Sequence, residues 1–164
     1  MKAIIDELRV HGVFTLSGAA LAVVIMFGLR AVLPGFMNIE TAHRMFEFTH
    51  PLHVVLSGFV TAALFNNYRG REKTSLLGYV SIFVVGYLGA IGIATLSDSI
   101  VPYWGELFLG LEHAHPHIGI IEMPYLINFA AITGIVFSYF FKGTHFPHAG
   151  HVFLSTAASL FHVM

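Results

Sequence analysis

The sequence predicts an all-α, polytopic transmembrane helix bundle of four to five spans with a short interfacial helix. Three observations predict it. Hydrophobic residues make up 56% of the 164 residues and charged residues only 10%, against about 25% charged in a soluble domain, so there is too little charge to cover a globular surface in water. The mean hydropathy is +0.77. The apolar residues also fall into runs close to the ~20 residues that cross a bilayer. One integral membrane domain, 1–164, accounts for the whole chain.

The first span runs over 12–33 and ends at Pro34-Gly35, a helix-breaking pair. The preceding MKAIIDELRVHGVF carries acids and lacks a small-residue cleavage site. It reads as an amphipathic lead-in to a retained span rather than a cleaved signal peptide. The second span covers 51–65 and stops at Asn66-Asn67; the third covers 75–96. The stretch SDSIVPYWGELFLGLEHAHPH follows, with an apolar part too short to span. It reads as a surface or re-entrant helix, with Tyr103 and Trp104 at the interface. The fourth span covers 118–141 and the last 146–164.

Basic residues set the orientation. Lys2, Arg9, Arg69, Arg71, Lys73 and Lys142 fall on one side, Arg30 and Arg44 on the other. The excess places the N-terminus in the cytoplasm of a bacterial or archaeal cell, with 36–49 and 97–117 outside.

The net charge is −1 and there is no cysteine. A nucleic-acid partner is therefore not indicated, and disulfides, thiolate sites and c-type haem attachment are excluded. HExxH, EF-hand, P-loop, nucleophile-elbow and dinucleotide glycine motifs are also absent. The anomaly is eleven histidines. The topology places His43, His50, His53, His113, His115 and His117 at the outer face. It places His11, His145, His148 and His151 at the inner face, and His162 deep in the last helix.

HPLHVVLS at 50–57 and HAGHVFLS at 148–155 repeat one pattern. Residues three and four apart share a helix face, so His50, His53, Ser57 and Thr61 form one polar stripe. His148, His151, Ser155, Ser159 and His162 form another. Polar groups facing hydrocarbon are costly, so both stripes are expected to turn into the bundle and face one another. Running in opposite directions, they resemble the inverted pairs of transporters. Ser57, Thr61, Ser155 and Ser159 read as small packing residues, and Glu47, Asp98 and Glu106 as solvated loop acids. Arg30 reads as snorkelling to the interface.

HAHPH at 113–117 alternates, so an extended chain would present His113, His115 and His117 as a chelating strip. Together with His50, His53 and Glu122, a carboxylate about one turn into the fourth span, these form the expected outer metal group. His148 and His151 belong to an inner one. Imidazole donors suit copper, zinc, nickel and iron, with Glu122 as a carboxylate that orients an imidazole N–H.

FEFTHPLHVVLSGFVTAALFNNYRG resembles a histidine-led helix of the haem–copper oxidase and nitric oxide reductase superfamily, including its small four-helix relatives. HAHPHIGII at 113–121 resembles a second such helix start. The resemblance implies that His50 and His53 ligate b-type haem or copper, with Gly58 making room for the porphyrin. His117 and His162 are the further candidates for holding the cofactor. The adjacent His-His pair and full ligand set of an oxidase are missing, which argues against oxygen reduction by this chain alone. The implied function is a redox or electron-transfer component of a respiratory-type complex, exchanging electrons with a quinone or a partner subunit. The residues alone equally describe a transition-metal permease or sensor, in which two histidine clusters joined by a Ser/Thr stripe carry zinc, nickel or iron. A third reading is a non-catalytic accessory subunit. In each case the partners are the lipid bilayer and other membrane subunits or a second copy of the chain.

Overall fold

The computed structural model describes residues 2–33, 35, 38–68, 75–112, 114–141 and 145–163, with the backbone alone at 2–11, 14, 15, 145 and 146. His113 and the side chains of His11 and His145 lie outside the described residues, as do Arg69, Arg71, Lys73 and Lys142.

Among the described residues, all regular structure is helical. Helix α1 covers Lys2–Val32, α2 Ile39–Tyr68, α3 Leu76–Thr95, α4 Val101–Leu109, α5 Gly119–Glu122, α6 Pro124–Phe140 and α7 His145–Val163. A π turn over Leu96–Ile100 joins α3 to α4, making Leu76–Leu109 one continuous rod. The expected break after residue 96, with a separate interfacial helix beyond it, is therefore wrong. Pro102 stands in the first turn of α4, where proline is tolerated. The helix stops instead at Gly110, whose φ of +67° suits a residue without a Cβ.

Ile39–Tyr68 and Leu76–Leu109 are long and apolar enough to cross a membrane; Leu16–Val32 and Pro124–Phe140 are shorter apolar helices. Ser75 starts α3 by accepting the Gly78 N–H at 3.1 Å, a normal N-cap. The expected fourth span is split at Met123, whose backbone leaves the helical region between α5 and α6.

Helix α2 packs against α3, α6 and α7, and α1 lies against α7. The α2–α6 contact is close because both sides are small. A Cβ on Gly134 would overlap the Val55 carbonyl oxygen, and one on Gly58 would stand 3.0 Å from the Ala131 carbonyl oxygen. Along the rod the buried residues recur every fourth position: Gly78, Ile82, Gly86, Ala90, Ala94, Asp98, Pro102 and Glu106. The π turn adds a residue to its turn, which helps keep this stripe on α2 and α7.

The distribution of polarity is inverted. His50, His53, Ser57, Asp98 and Ser99 are buried, whereas Phe108 and Tyr125 are more than nine-tenths exposed.

Candidate functional site

Two places gather ionisable side chains. The first is centred on Asp98, which has no exposed surface. Its Oδ2 accepts from His50 Nδ1 at 2.9 Å and from His53 Nδ1 at 2.6 Å. Its Oδ1 accepts from the Ser97 hydroxyl at 2.6 Å and the Ser155 hydroxyl at 3.0 Å. Ser159 donates to the Ser97 carbonyl at 2.8 Å. A carboxylate can only accept, so both imidazoles carry a proton on Nδ1. In the neutral ring that leaves Nε2 as a lone pair. His53 Nε2 is buried without a hydrogen-bond partner among the described residues, and the His151 ring lies 4.5 Å from the His53 ring, centroid to centroid. His151 Nδ1 is likewise buried and unpartnered among the described residues. The His148 ring lies 6.0 Å beyond.

The second place is a cavity of about 580 Å³ at the end of the bundle where α2 begins, α4 ends and α7 ends. Its lining includes His43, Phe46, Glu106, His115, His117 and His162. His162 has no exposed side-chain surface and stands 3.8 Å from a Glu106 oxygen. His117 turns Nδ1 to Glu122 at 3.3 Å, and its ring lies edge-on to His162 at 5.2 Å. Phe46 touches both places. It stacks on His50 at 5.1 Å, and its ring lies 5.8 Å from that of His117 and 5.5 Å from that of His162.

The expected outer group is therefore divided. His50 and His53 turn their Nδ1 atoms to Asp98 rather than to His115, His117 and Glu122, although His50 Nε2 lies against Gly119, two residues from His117. The separation into outer and inner histidines also fails, since His53 and His151 are neighbours. The two stripes meet at His53 and His151, running antiparallel, while Thr61 lies against Gly89 of α3. Ser155 and Ser159 donate hydrogen bonds to the Asp98 region rather than merely packing.

Asp98 and Glu106, read from sequence as solvated loop acids, are both buried. A signal for them existed. The small-residue stripe of Gly78, Gly86, Ala90 and Ala94 runs in register into Asp98, Pro102 and Glu106, so one face carries all of them inward. Gly58 leaves no slot for a porphyrin: the space beside it is taken by Ala131 at 3.0 Å and Ala90 at 3.5 Å. Close helix packing, rather than room for a cofactor, explains this glycine.

Among the described residues, no three His, Cys, Asp or Glu side chains stand as a ready-made metal-binding group. What the geometry offers is pairs of donors, each with a carboxylate that fixes an imidazole. No protein family, curated protein or solved structure matches the chain.

Proposed function

We propose that this chain is an integral membrane protein, with four or five spans and its N-terminus in the cytoplasm, that binds a first-row transition-metal ion in its core and passes it across the bilayer. The observation that carries the reading is the buried carboxylate of Asp98. It takes Nδ1–H from both His50 and His53 and leaves His53 Nε2 unpartnered beside His151. Metal-bound histidines are usually oriented in this way, the carboxylate fixing the tautomer and raising the basicity of the other nitrogen.

The membrane setting is supported by the inverted polarity, since buried ionisable groups under an apolar exterior suit a lipid solvent. Helix α2 has 30 residues and is therefore about 45 Å long at ~1.5 Å per residue. His53 stands near its midpoint, the depth at which transporters hold their cargo. Cysteines placed at Asn67 and Leu109 test the orientation. Leu109→Cys should react with an impermeant maleimide from outside and Asn67→Cys only after permeabilisation; the reverse pattern inverts the topology.

Passage rather than fixed electron transfer is favoured by the arrangement of the polar groups. They continue from the cavity at one end, past Phe46, to His50, Asp98, His53 and His151. An ion between His53 and His151 takes two imidazoles, with solvent or further side chains completing the shell; copper, zinc, nickel and iron share these donors. A porphyrin held between the same two rings would need them farther apart than 4.5 Å.

Elemental analysis and an optical spectrum of the purified protein form the test. The expected result is bound transition metal without a Soret band, lost in His53→Ala and in His151→Ala but retained in Glu40→Gln, an exposed partner of Arg44. A Soret band lost in His53→Ala would establish haem instead. Full metal content in both histidine variants would refute the site.

A further inference from the structure

The cavity at the mouth of the bundle contains buried donors that the Asp98 site does not use. His162 has no exposed side-chain surface, and neither of its ring nitrogens makes a hydrogen bond of normal geometry among the described residues, the His115 backbone being the polar group beside both it and Glu106. Glu106 is 6% exposed, and its Oε2 also lacks a partner. Leaving three such atoms unsatisfied is costly. All belong to side chains that line the same cavity.

Their spacing suggests what would satisfy them. His162 Nε2 and Glu106 Oε1 are 3.8 Å apart, too far for a hydrogen bond. A single ion with bonds of about 2.0–2.1 Å to nitrogen and oxygen spans up to roughly 4.1 Å between two ligands. The pair therefore brackets a volume suited to one cation. A cation would also neutralise the Glu106 carboxylate, whose titratable neighbours, His115, His117 and His162, are imidazoles rather than lysines or arginines.

His117 lies beside His162, the ring centroids 5.2 Å apart. Its Nδ1 faces the Glu122 carboxylate at 3.3 Å, leaving Nε2 as the lone pair of a neutral ring. This repeats at the mouth the carboxylate–imidazole arrangement seen around Asp98. About 580 Å³ of cavity leaves room for water to complete the shell of a partly hydrated ion.

We infer that His162 and Glu106, with His117 oriented by Glu122, form a second transition-metal site at the mouth of the bundle, separated from the Asp98 site by Phe46. The inference deepens the ion-binding reading and rests on it. The mouth site takes the ion with waters still attached; the core site takes it through imidazoles after more of that water is shed. Phe46, in ring contact with His50, His117 and His162, is the side chain the two sites share and acts as the barrier between them.

Equilibrium dialysis of the chelator-stripped full chain in detergent against Zn²⁺ tests this. Wild type should take two ions per chain. His53→Ala/His151→Ala should take one, and Glu106→Gln/His162→Ala should take one with the core affinity unchanged. Glu122→Gln is a milder variant at a partly exposed carboxylate; it should weaken the mouth site alone by about 10- to 100-fold, as loss of an orienting partner does. It keeps the test open if the double variant fails to fold. Two ions bound by Glu106→Gln/His162→Ala, or unaltered binding in Glu122→Gln, would overturn the inference. A wild type that takes one ion, lost with His53 and His151, leaves the core reading intact and removes this one. One ion lost with His162 but not with His53 does the opposite.

Discussion

Replacing Asp98 by asparagine removes a charge while keeping the shape. Four donors converge on this carboxylate, from His50, His53, Ser97 and Ser155, at 2.6–3.0 Å. In Asp98→Asn the amide oxygen can stay on the two imidazoles, and the amide nitrogen can donate to the two hydroxyls, which turn to accept. Hydrogen bonds to a charged group contribute about 1.5–3 kcal/mol and neutral ones about 0.5–1.5. Each imidazole bond should therefore weaken by about 1 kcal/mol, and the pair by about 2. At ~1.4 kcal/mol per factor of ten, that is a roughly 30-fold effect. It falls within the 10- to 100-fold loss of metal affinity that follows removal of an orienting carboxylate. Asp98→Ala is less informative. It leaves two imidazole N–H groups and two hydroxyls without an acceptor, at about 1–3 kcal/mol each, enough to threaten a fold of ordinary stability. The assay is competition for Zn²⁺ between the purified Asp98→Asn protein and a chromogenic chelator, with a thermal melt alongside. An unchanged affinity in a folded Asp98→Asn protein would refute the view that this carboxylate sets up the imidazoles.

Gly119→Ala tests the same site from outside it. A Cβ there would collide with His50 Nε2, so the ring must leave Asp98, and metal affinity should fall about tenfold or more in the same competition assay. Gly134→Ala should destabilise the fold by about 1–3 kcal/mol, the usual cost of overpacking, because the Val55 carbonyl and Phe59 nitrogen are backbone and cannot step aside; a detergent melt with unchanged metal content checks it. Phe46→Leu trims a fully buried ring, so it should cost about 1–2 kcal/mol through the cavity it leaves, and it should speed the loss of core-bound metal to an added chelator, measured by stopped flow; an unchanged rate would show that Phe46 is not the barrier.

The helical character and the inward-facing histidine stripes were legible because both depend on local spacing. Period-four neighbours in an apolar run need no tertiary information. The partners of the stripes were harder to see. Asp98 sits in SDSI, a polar interruption that reads as a loop when taken alone, and the π turn that carries it inward has no strong local signal. Its burial could be read only by following Gly78, Gly86, Ala90 and Ala94 through to Glu106. The division of the outer histidines was hidden for another reason. Phe46 lies one turn before His50 on the same face of α2, and nothing local distinguishes an aromatic that packs on lipid from one that packs on imidazole. Glu122 was legible as a carboxylate that orients an imidazole; that the imidazole is His117 is set by the short helix start between them.

The packing around α2 differs on its two sides, and the difference is mechanical. Toward α6, backbone meets backbone through Gly58 and Gly134, and toward α3 Gly86 meets the methyl of Ala62; a separation of even a side chain's width would empty contacts that no rotamer can refill. Toward α7, the seam is made of imidazole rings and serine hydroxyls, groups that rotate, exchange partners and accept water in place of protein. Gly18 of α1 lies against the Ala149 carbonyl of α7, where a Cβ would come within 3.1 Å, so these two helices are tied to each other more closely than α7 is to Asp98. Strain applied to the bundle would thus be taken up along one line, with α1 and α7 moving as a leaf against a stiff slab of α2, α3 and α6. His53, His151 and Asp98 lie on that line.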